Sequence, residues 1–283
     1  MSRQLIVPID GSDDSWRAFD VALALGRRMG ASVLLAEVAT DPVDGRYARA
    51  RLDREMQLRS PFDTKVTVEV RLASDSVADE LATLLAAHPS SIFVMSSHGK
   101  GRSAAVLGSV TERLLRQVFG PMVLVGRNVE PGDLTGPVIV SVDGSHESEV
   151  ALPLAADWAH RFRTTPWIVN VATPPDAESL DGTDSLESAH LEHLARDLTE
   201  SSGRRAEFDE LHGRHPARAI ADYAARHQAS MIVASSHGRS GLSRLAIGSV
   251  TAALVRSATC PVVVIRLPHP EHGLAPEWMW SGG

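Results

Sequence analysis

The sequence predicts an α/β protein built as two tandem doubly wound parallel sheets of five strands each. Short apolar runs alternate with segments of helical periodicity, a pattern typical of parallel strands joined by crossover helices. The pattern of the first half restarts near residue 137 and keeps its order through the second half. The chain has 283 residues, 43% of them hydrophobic, which is enough for two separate cores.

The first half contains five apolar runs that we predict to be strands. The run Leu5–Asp10 is apolar almost throughout, as expected at the centre of a sheet. The run Lys65–Leu72 alternates polar and apolar residues, which indicates a sheet edge or a face in contact with water. The predicted strands are Leu5–Asp10, Ser32–Ala39, Lys65–Leu72, Ile92–Met95 and Met122–Val125.

A helix is predicted after each of the first four strands, most of them preceded by a residue that can cap a helix. The second is rich in arginine and weakly apolar, so we interpret it as a solvated face balanced by nearby acids. The predictions are a first helix capped by Asp13 or Asp14 and ended by Gly30, a second over roughly 46–59, a third capped by Ser76 and a fourth from Ser109 to about Phe119.

The second half repeats this pattern, with Asp143-Gly144-Ser145 matching Asp10-Gly11-Ser12, which indicates a tandem duplication. Further strands are predicted at Trp167–Ala172, Arg205–Leu211, Met231–Ala234 and Val262–Ile265, and helices near 147–162, 184–202, 216–228 and 249–257. We predict a first domain over 1–128, a linker over 129–136, a second domain over 137–267 and a tail over 268–283, whose Trp278 and Trp280 favour docking on another surface.

Composition excludes several classes of protein. The net charge of −7 argues against a protein that binds nucleic acid or an anionic membrane. Cys260 is the single cysteine, so an internal disulfide and a cysteine metal cluster are excluded, and we expect it to be a small buried residue before the last strand. The start of the chain does not resemble a signal peptide, and no apolar run approaches the length of a membrane span, so we expect a cytoplasmic protein.

A strand, a glycine-bearing loop and a helix start follow one another twice, over 96–111 and over 235–251. The first N–H groups of a helix lack backbone partners, the helix dipole is positive there, and glycine allows close approach of the backbone. Each copy therefore predicts an anion site. In a doubly wound sheet the crevice lies at the carboxyl ends of the first and fourth strands, so Asp10 and the first loop are predicted to meet.

These residues resemble the universal stress protein family in a two-domain form. The resemblance rests on the Ile-Asp-Gly-Ser turn, the Ser-His-Gly-Arg-Ser-Gly loop, the Gly-Ser-Val-Thr helix start and the Cys-Pro-Val-Val-Val-Ile ending. It implies a strand order of 3-2-1-4-5 in an adenine nucleotide α-hydrolase-like fold. It also implies an ATP-binding regulator of stress response or growth arrest, usually a homodimer, with a regulatory protein partner that the sequence does not identify.

The resemblance also implies which residues hold the nucleotide. Asp10 and Asp143 would bind ribose hydroxyls, because a carboxylate accepts paired hydroxyls and repels phosphate. Val38 and Val171 would line the adenine pocket, while the glycine loops would hold phosphates that Mg²⁺ can bridge. The candidate residues are Pro8, Asp10, Val38, Gly99, Gly108, Ser109 and Val110 in the first half and Asp143, Val171, His237, Gly238, Gly248, Ser249 and Val250 in the second.

Both loops depart from the family's nucleotide-binding pattern, Gly-x2-Gly-x9-Gly-Ser/Thr. Ser96 and Ser235 stand where the pattern has its first glycine, and a Cβ there can crowd the phosphates. The first loop also has eight residues between Gly99 and Gly108 in place of nine.

These departures favour a rival hypothesis, a nucleotide-free interaction module. In it the sheet edges Met122–Val125 and Val262–Ile265 pair across domains or subunits. A third hypothesis, an ATP-cleaving enzyme, has less support because the sequence has no nucleophile elbow and no P-loop lysine. We therefore expect no enzyme, with slow ATP hydrolysis as a side property at most.

Plainer structural roles also account for several of the same residues. Aspartate followed by Gly-Ser is a good turn former, serine at a helix start is a good cap, and the loop histidines can serve loop packing. These roles apply to Asp10 and Asp143 as turn formers, Ser109 and Ser249 as caps, Gly108 and Gly248 as turn glycines, and His98 and His237 as packing residues.

Overall fold

One ten-stranded sheet runs through the protein in its computed structural model, which describes residues 4–59, 63–99, 107–172, 183–236 and 247–266, without the side chains of 183–187. The strands are β1 Gln4–Pro8, β2 Ser32–Ala39, β3 Val66–Leu72, β4 Ser91–Ser96, β5 Gly120–Val125, β6 Val138–Ser141, β7 Pro166–Ala172, β8 Glu207–His212, β9 Met231–Ser235 and β10 Val262–Arg266. The helices are α1 Asp13–Met29, α2 Pro42–Arg59, α3 Val77–Ala87, α4 Ser109–Gln117, α5 His146–Glu149, α6 Leu152–Phe162, α7 Thr183–Ser202, α8 Pro216–Arg226 and α9 Ser249–Ser257.

The strand order is β3-β2-β1-β4-β5-β10-β9-β6-β7-β8, which confirms the order 3-2-1-4-5 in both halves. The two predicted five-stranded parallel sheets are confirmed as the two halves of this sheet, and β5 and β10 pair antiparallel and join them, with Val123 opposite Val263. Both strands are buried on both faces, and either would expose a row of unpaired N–H and C=O groups if left at an edge. We call this β5–β10 pair the seam.

Helices cover both faces of the sheet, as a doubly wound fold requires. Strand side chains alternate between two cores, so that Leu35 packs in the core beneath α1 and α6 while Leu34 packs in the core beneath α3, α4, α8 and α9. The predicted edge character of the third strand is confirmed, since β3 forms one outer edge of the sheet and β8 the other.

Each half also holds the end of a helix from the other half. The side chain of Asn128, just after β5, donates from Nδ2 to the carbonyl of Arg256 in the last turn of α9 at 3.1 Å. The side chain of Arg266, at the end of β10, donates from Nη1 to the carbonyl of Leu115 near the end of α4 at 3.1 Å. These bonds satisfy helix carbonyls that have no partner within their own helix.

Several helix boundaries differ from the predicted ones. Ser12, and not Asp13 or Asp14, caps α1 by accepting from the backbone N–H of Ser15 at 3.2 Å. Helix α2 begins earlier than predicted, at Pro42, whose missing N–H costs nothing in a first turn.

In the second half, the segment predicted as one helix near 147–162 is two, α5 and α6, and Pro153 lies in the first turn of the second. Gly30 ends α1 and Ser76 caps α3, as predicted.

The predicted linker packs against the first core, because Val129 is 2% exposed and Leu134 is 7% exposed. Cys260 is buried as expected, and burial raises the pKa of its thiol to about 12. The tail with Trp278 lies outside the described residues. No helix in the described ranges is both long enough and apolar enough to cross a bilayer.

Substitution of Gly126 tests how closely the halves pack at the seam. A Cβ at Gly126 would lie 2.4 Å from the carbonyl oxygen of Val255 in α9, so Gly126→Ala must push α9 away from β5. We expect a loss of about 2 kcal/mol in the free energy of unfolding, measured by urea titration. Gly132→Ala is the matched control, since nothing lies within 4 Å of its Cβ, and equal midpoints for the two variants would contradict the packing described here.

Candidate functional site

A cavity of about 500 Å³ opens where β1 and β4 end, the place where the strand order reverses. Its volume lies within the usual range for small-molecule sites. The cavity is lined by all the candidates predicted for the first half, Pro8, Asp10, Val38, Gly99, Gly108, Ser109 and Val110.

Asp10 is fixed by the turn that follows β1. Its Oδ1 accepts from the backbone N–H of Ser12 at 2.9 Å and from the Ser12 hydroxyl at 2.5 Å. Its Oδ2 lies against Gly99, where an added Cβ would be 2.9 Å away, so any side chain at 99 would displace the carboxylate. Asp10 is therefore both a turn former and part of the cavity wall.

The start of α4 also borders the cavity. Gly108 is the N-cap residue, and no side chain caps this helix, whereas serine side chains cap α1 and α3. The interpretation of Ser109 as a helix cap is therefore wrong, because Ser109 is already the first residue of the helix and borders the cavity. A helix start without a side-chain cap can donate its first N–H groups to an anion.

Short hydrogen bonds close the loop that joins β4 to α4. The backbone N–H of Gly108 donates to the carbonyl of Ser97 at 2.8 Å, and Thr111 Oγ1 donates to the carbonyl of Ser96 at 3.1 Å. The Ser96 hydroxyl, at the position of the pattern's first glycine, donates to the carbonyl of His98 at 2.6 Å. The hydroxyl that Ser96 has and a glycine would lack is therefore hydrogen-bonded to the backbone of the loop.

His98 is 3% exposed, and its Nδ1 lies 2.7 Å from the hydroxyl of the fully buried Ser97. The ring borders the cavity and also packs in the loop, in agreement with the plainer packing role. Ser97 cannot reach a bound molecule, because none of its surface is exposed.

Sequence reasoning missed three charged residues that line the cavity at the end of β2, namely Glu37, Asp44 and Arg51. Arg51 Nη2 donates to Oε1 of Glu37, and Arg51 Nη1 donates to Asp44 Oδ1 at 3.2 Å. The Arg51 side chain remains 45% exposed and is balanced by these two acids, in agreement with the interpretation of the arginine-rich helix as a solvated face, and it also borders the cavity. The sequence signal that could have revealed this ion pair is Glu37, because it is a charged residue in an otherwise apolar predicted strand.

The second half repeats the turn of the first site. Asp143 Oδ1 accepts from the backbone N–H of Ser145 at 3.0 Å and from the Ser145 hydroxyl at 2.5 Å. The hydroxyl of Ser148, at the position that Ser15 holds in the first half, accepts from the backbone N–H of Asp143 at 3.1 Å.

The start of α9 likewise matches the start of α4. Gly248 is the N-cap residue without a side-chain cap, so the cap interpretation of Ser249 is also wrong. Thr251 Oγ1 donates to the carbonyl of Ser235 at 2.9 Å, as Thr111 does in the first half.

The remaining candidates of the second half divide into two groups. Val171 lies near the end of β7, and Val250 lies in the first turn of α9 with 39% of its surface exposed. His237 and Gly238 lie outside the described residues.

The described residues of the two sites do not bring together a set of metal ligands. Over the described ranges, no three His, Cys, Asp or Glu side chains lie close enough together to hold an ion. His190 on α7 forms a pair with Glu149, whose Oε1 lies 2.8 Å from its Nε2.

The family model described as the universal stress protein family matches the chain twice, over residues 1–126 and 135–266. A universal stress protein of Mycobacterium tuberculosis is 27% identical over 290 residues, covering 93% of this chain and 96% of that protein. Another of Mycolicibacterium smegmatis is 30% identical over 208 residues, covering 71% of this chain and 69% of that protein.

Among solved structures, a universal stress protein from Archaeoglobus fulgidus superposes with a TM-score of 0.71 at 20% identity, covering 93% of this chain and 98% of that one. A protein of unknown function from Pseudomonas aeruginosa superposes with a TM-score of 0.65 at 17% identity, covering 94% and 92%. At this identity the likeness concerns the fold.

Asp79 on α3 holds α4 in place behind the cavity. It accepts hydrogen bonds from the Ser76 hydroxyl at 2.6 Å, from Gln117 Nε2 at 2.7 Å and from Arg113 Nη2 at 2.7 Å. The Ser76 and Gln117 hydrogen bonds, together with the Arg113 charge, lower the pKa of this carboxyl below its ordinary value of 3.8.

This lowered pKa predicts the pH dependence of Asp79→Asn. Ionised Asp79 stabilises the fold above pH 3.8, and that contribution is lost as the pH falls through its lower folded-state pKa. We expect the variant to melt below the unsubstituted protein at pH 7, and the gap to close in acid, as measured by thermal unfolding. Asp75→Asn, at an exposed neighbour, is the control, and a gap that persists unchanged in acid would refute the assignment.

Proposed function

Because the chain belongs to the universal stress protein family, we propose that it is a cytoplasmic regulator of stress response or growth arrest that binds an adenine nucleotide. One observation carries the proposal. A carboxylate, Asp10, and the start of α4, a helix without a side-chain cap, face the same cavity of about 500 Å³.

ATP matches this arrangement part by part. The ribose hydroxyls donate to Asp10, which is an acceptor only, and the phosphates lie at Ser109 and Val110, where backbone N–H groups begin α4. The base lies towards Val38 at the end of β2. Mg²⁺ would bind to the phosphates and keep most of its water ligands, since it needs few protein ligands in such sites.

A second site is proposed in the second half on the same grounds. Asp143 holds the same turn as Asp10, and Gly248 begins α9 as Gly108 begins α4. Val171, Ser249 and Val250 take the roles of Val38, Ser109 and Val110.

The role we propose is binding without catalysis. Among the described residues, the Ser97 hydroxyl and the His98 ring form a hydroxyl–imidazole pair, but Ser97 has none of its surface exposed and does not line the cavity. Slow ATP hydrolysis by bound water is compatible with this role.

The rival interaction module gains one supporting observation, because the edges Met122–Val125 and Val262–Ile265 do pair across the two halves. That pairing takes place within one chain. A homodimer, which the family resemblance implies, would therefore have to use surfaces other than these two edges, and so would a regulatory partner.

Substitution of the ribose-binding carboxylate tests the proposal. We expect isothermal titration of the unsubstituted chain with ATP and Mg²⁺ to detect two sites, and Asp10→Asn to weaken one of them roughly tenfold or more, because a hydrogen bond to a charged acceptor is lost. Asp53→Asn on the outer part of α2 is the matched control and should leave both sites unchanged. An unsubstituted chain that takes up no ATP would favour the interaction module.

A further inference from the structure

The cavity of the first half has two ends, which the strand order sets. Since β1 lies between β4 and β2, the cavity runs from the glycine loop after β4, across the end of β1, to the end of β2. Asp10 and the start of α4 bound the first end. The other end is bounded by the stretch from Glu37 to Thr40 and by α2, which supplies Arg51. In the proposed function, sugar and phosphates lie at the first end and the base at the second.

The base end carries an ion pair between a buried carboxylate, Glu37, and a half-exposed guanidinium, Arg51. Glu37 is 7% exposed, so its carboxylate needs a partner, and Arg51 donates to its Oε1. Asp44 holds the same guanidinium at 3.2 Å and so limits the positions that Arg51 can take. Glu37 lines the cavity, and within the described ranges its Oε2 accepts no hydrogen bond, so this oxygen can accept one from a base.

A carboxylate oxygen accepts hydrogen bonds and cannot donate them, whereas guanidinium N–H groups only donate. Adenine presents a 6-amino donor beside a ring-nitrogen acceptor, which matches this pair. A 6-oxo purine reverses both groups, because its 6-oxygen is an acceptor and its N1 carries a hydrogen. In the same pose the lone pairs of the oxygen would face Glu37 and the N1–H would face the guanidinium. Sites built around a hydrogen bond reject analogues that cannot make it, because the buried group is left unpaired.

We propose that Glu37, positioned by Arg51, recognises the 6-amino group of adenine in the first-half cavity and rejects 6-oxo purine nucleotides. This inference rests on the proposed function and adds base selectivity to it.

The second half provides an internal comparison. The β2 register places Ala36 opposite Pro8, and the β7 register places Val169 opposite Ser141, so Asn170 takes the position of Glu37. The side chain of an asparagine can rotate to donate or to accept. The second site is therefore expected to accept 6-amino and 6-oxo purines alike.

The experiment compares ATP with inosine triphosphate, which differs at the 6-position. The full chain carries Asp143→Asn, so that binding reports the first half, and both nucleotides are titrated by calorimetry with Mg²⁺. We expect ATP to bind roughly tenfold or more tightly than inosine triphosphate. Adding Glu37→Gln should reduce the preference to about threefold or less, because an amide can rotate to donate to the 6-oxo group. Glu69→Gln, outside the cavity, should keep the full preference.

The outcomes separate the two proposals. Binding of neither nucleotide would overturn the proposed function. Equal binding of both to the protein with Glu37 intact would overturn only the base selectivity, as would an unchanged preference after Glu37→Gln. Should that variant not fold, purine riboside triphosphate, which lacks any 6-substituent, replaces it. That compound should bind the unsubstituted site more weakly than ATP, and equal affinity would refute the role of Glu37.

Discussion

The antiparallel pairing of β5 with β10 is the constraint on which both candidate sites depend. These strands are buried on both faces, and each holds the loop of its own half, since Val125 accepts from the backbone N–H of Ser97 and Ile265 accepts from that of Ser236. Residues just beyond β5 and at the end of β10 bind the carboxyl ends of α9 and α4, whose opposite ends are the proposed phosphate sites. The pairing thus positions both ends of α4 and of α9. A strand of the same half holds the loop before each helix, and a residue of the other half holds its carboxyl end.

Local chemistry made most of the first site predictable. An aspartate turn after an apolar strand and a glycine-flanked helix start after another must meet where the strand order reverses, and Asp10 and Gly108 do line one cavity. The seam was only one of two open alternatives, because the sequence of an apolar strand does not show which other strand will pair with its edge. Sequence alone offered both pairing within the chain and pairing between subunits.

The parts that sequence could not predict depend on how elements are oriented in three dimensions. Helix α2 has little apolar periodicity, so the sequence did not show which of its exposed arginines also borders the cavity. Arg51 does so because Glu37 is buried and its carboxylate requires a cation. Ser12 replaced Asp13 and Asp14 as the cap of α1 for a related reason, since the Asp10 turn already positions its hydroxyl.

The reversal of direction at the seam has a geometric consequence for anything that binds this protein. Within each half the strands are parallel, but the two halves run in opposite directions, so their carboxyl ends open on opposite rims of the sheet. A ligand bound at the carboxyl ends of one half would therefore lie on the opposite rim from a ligand bound at the carboxyl ends of the other half.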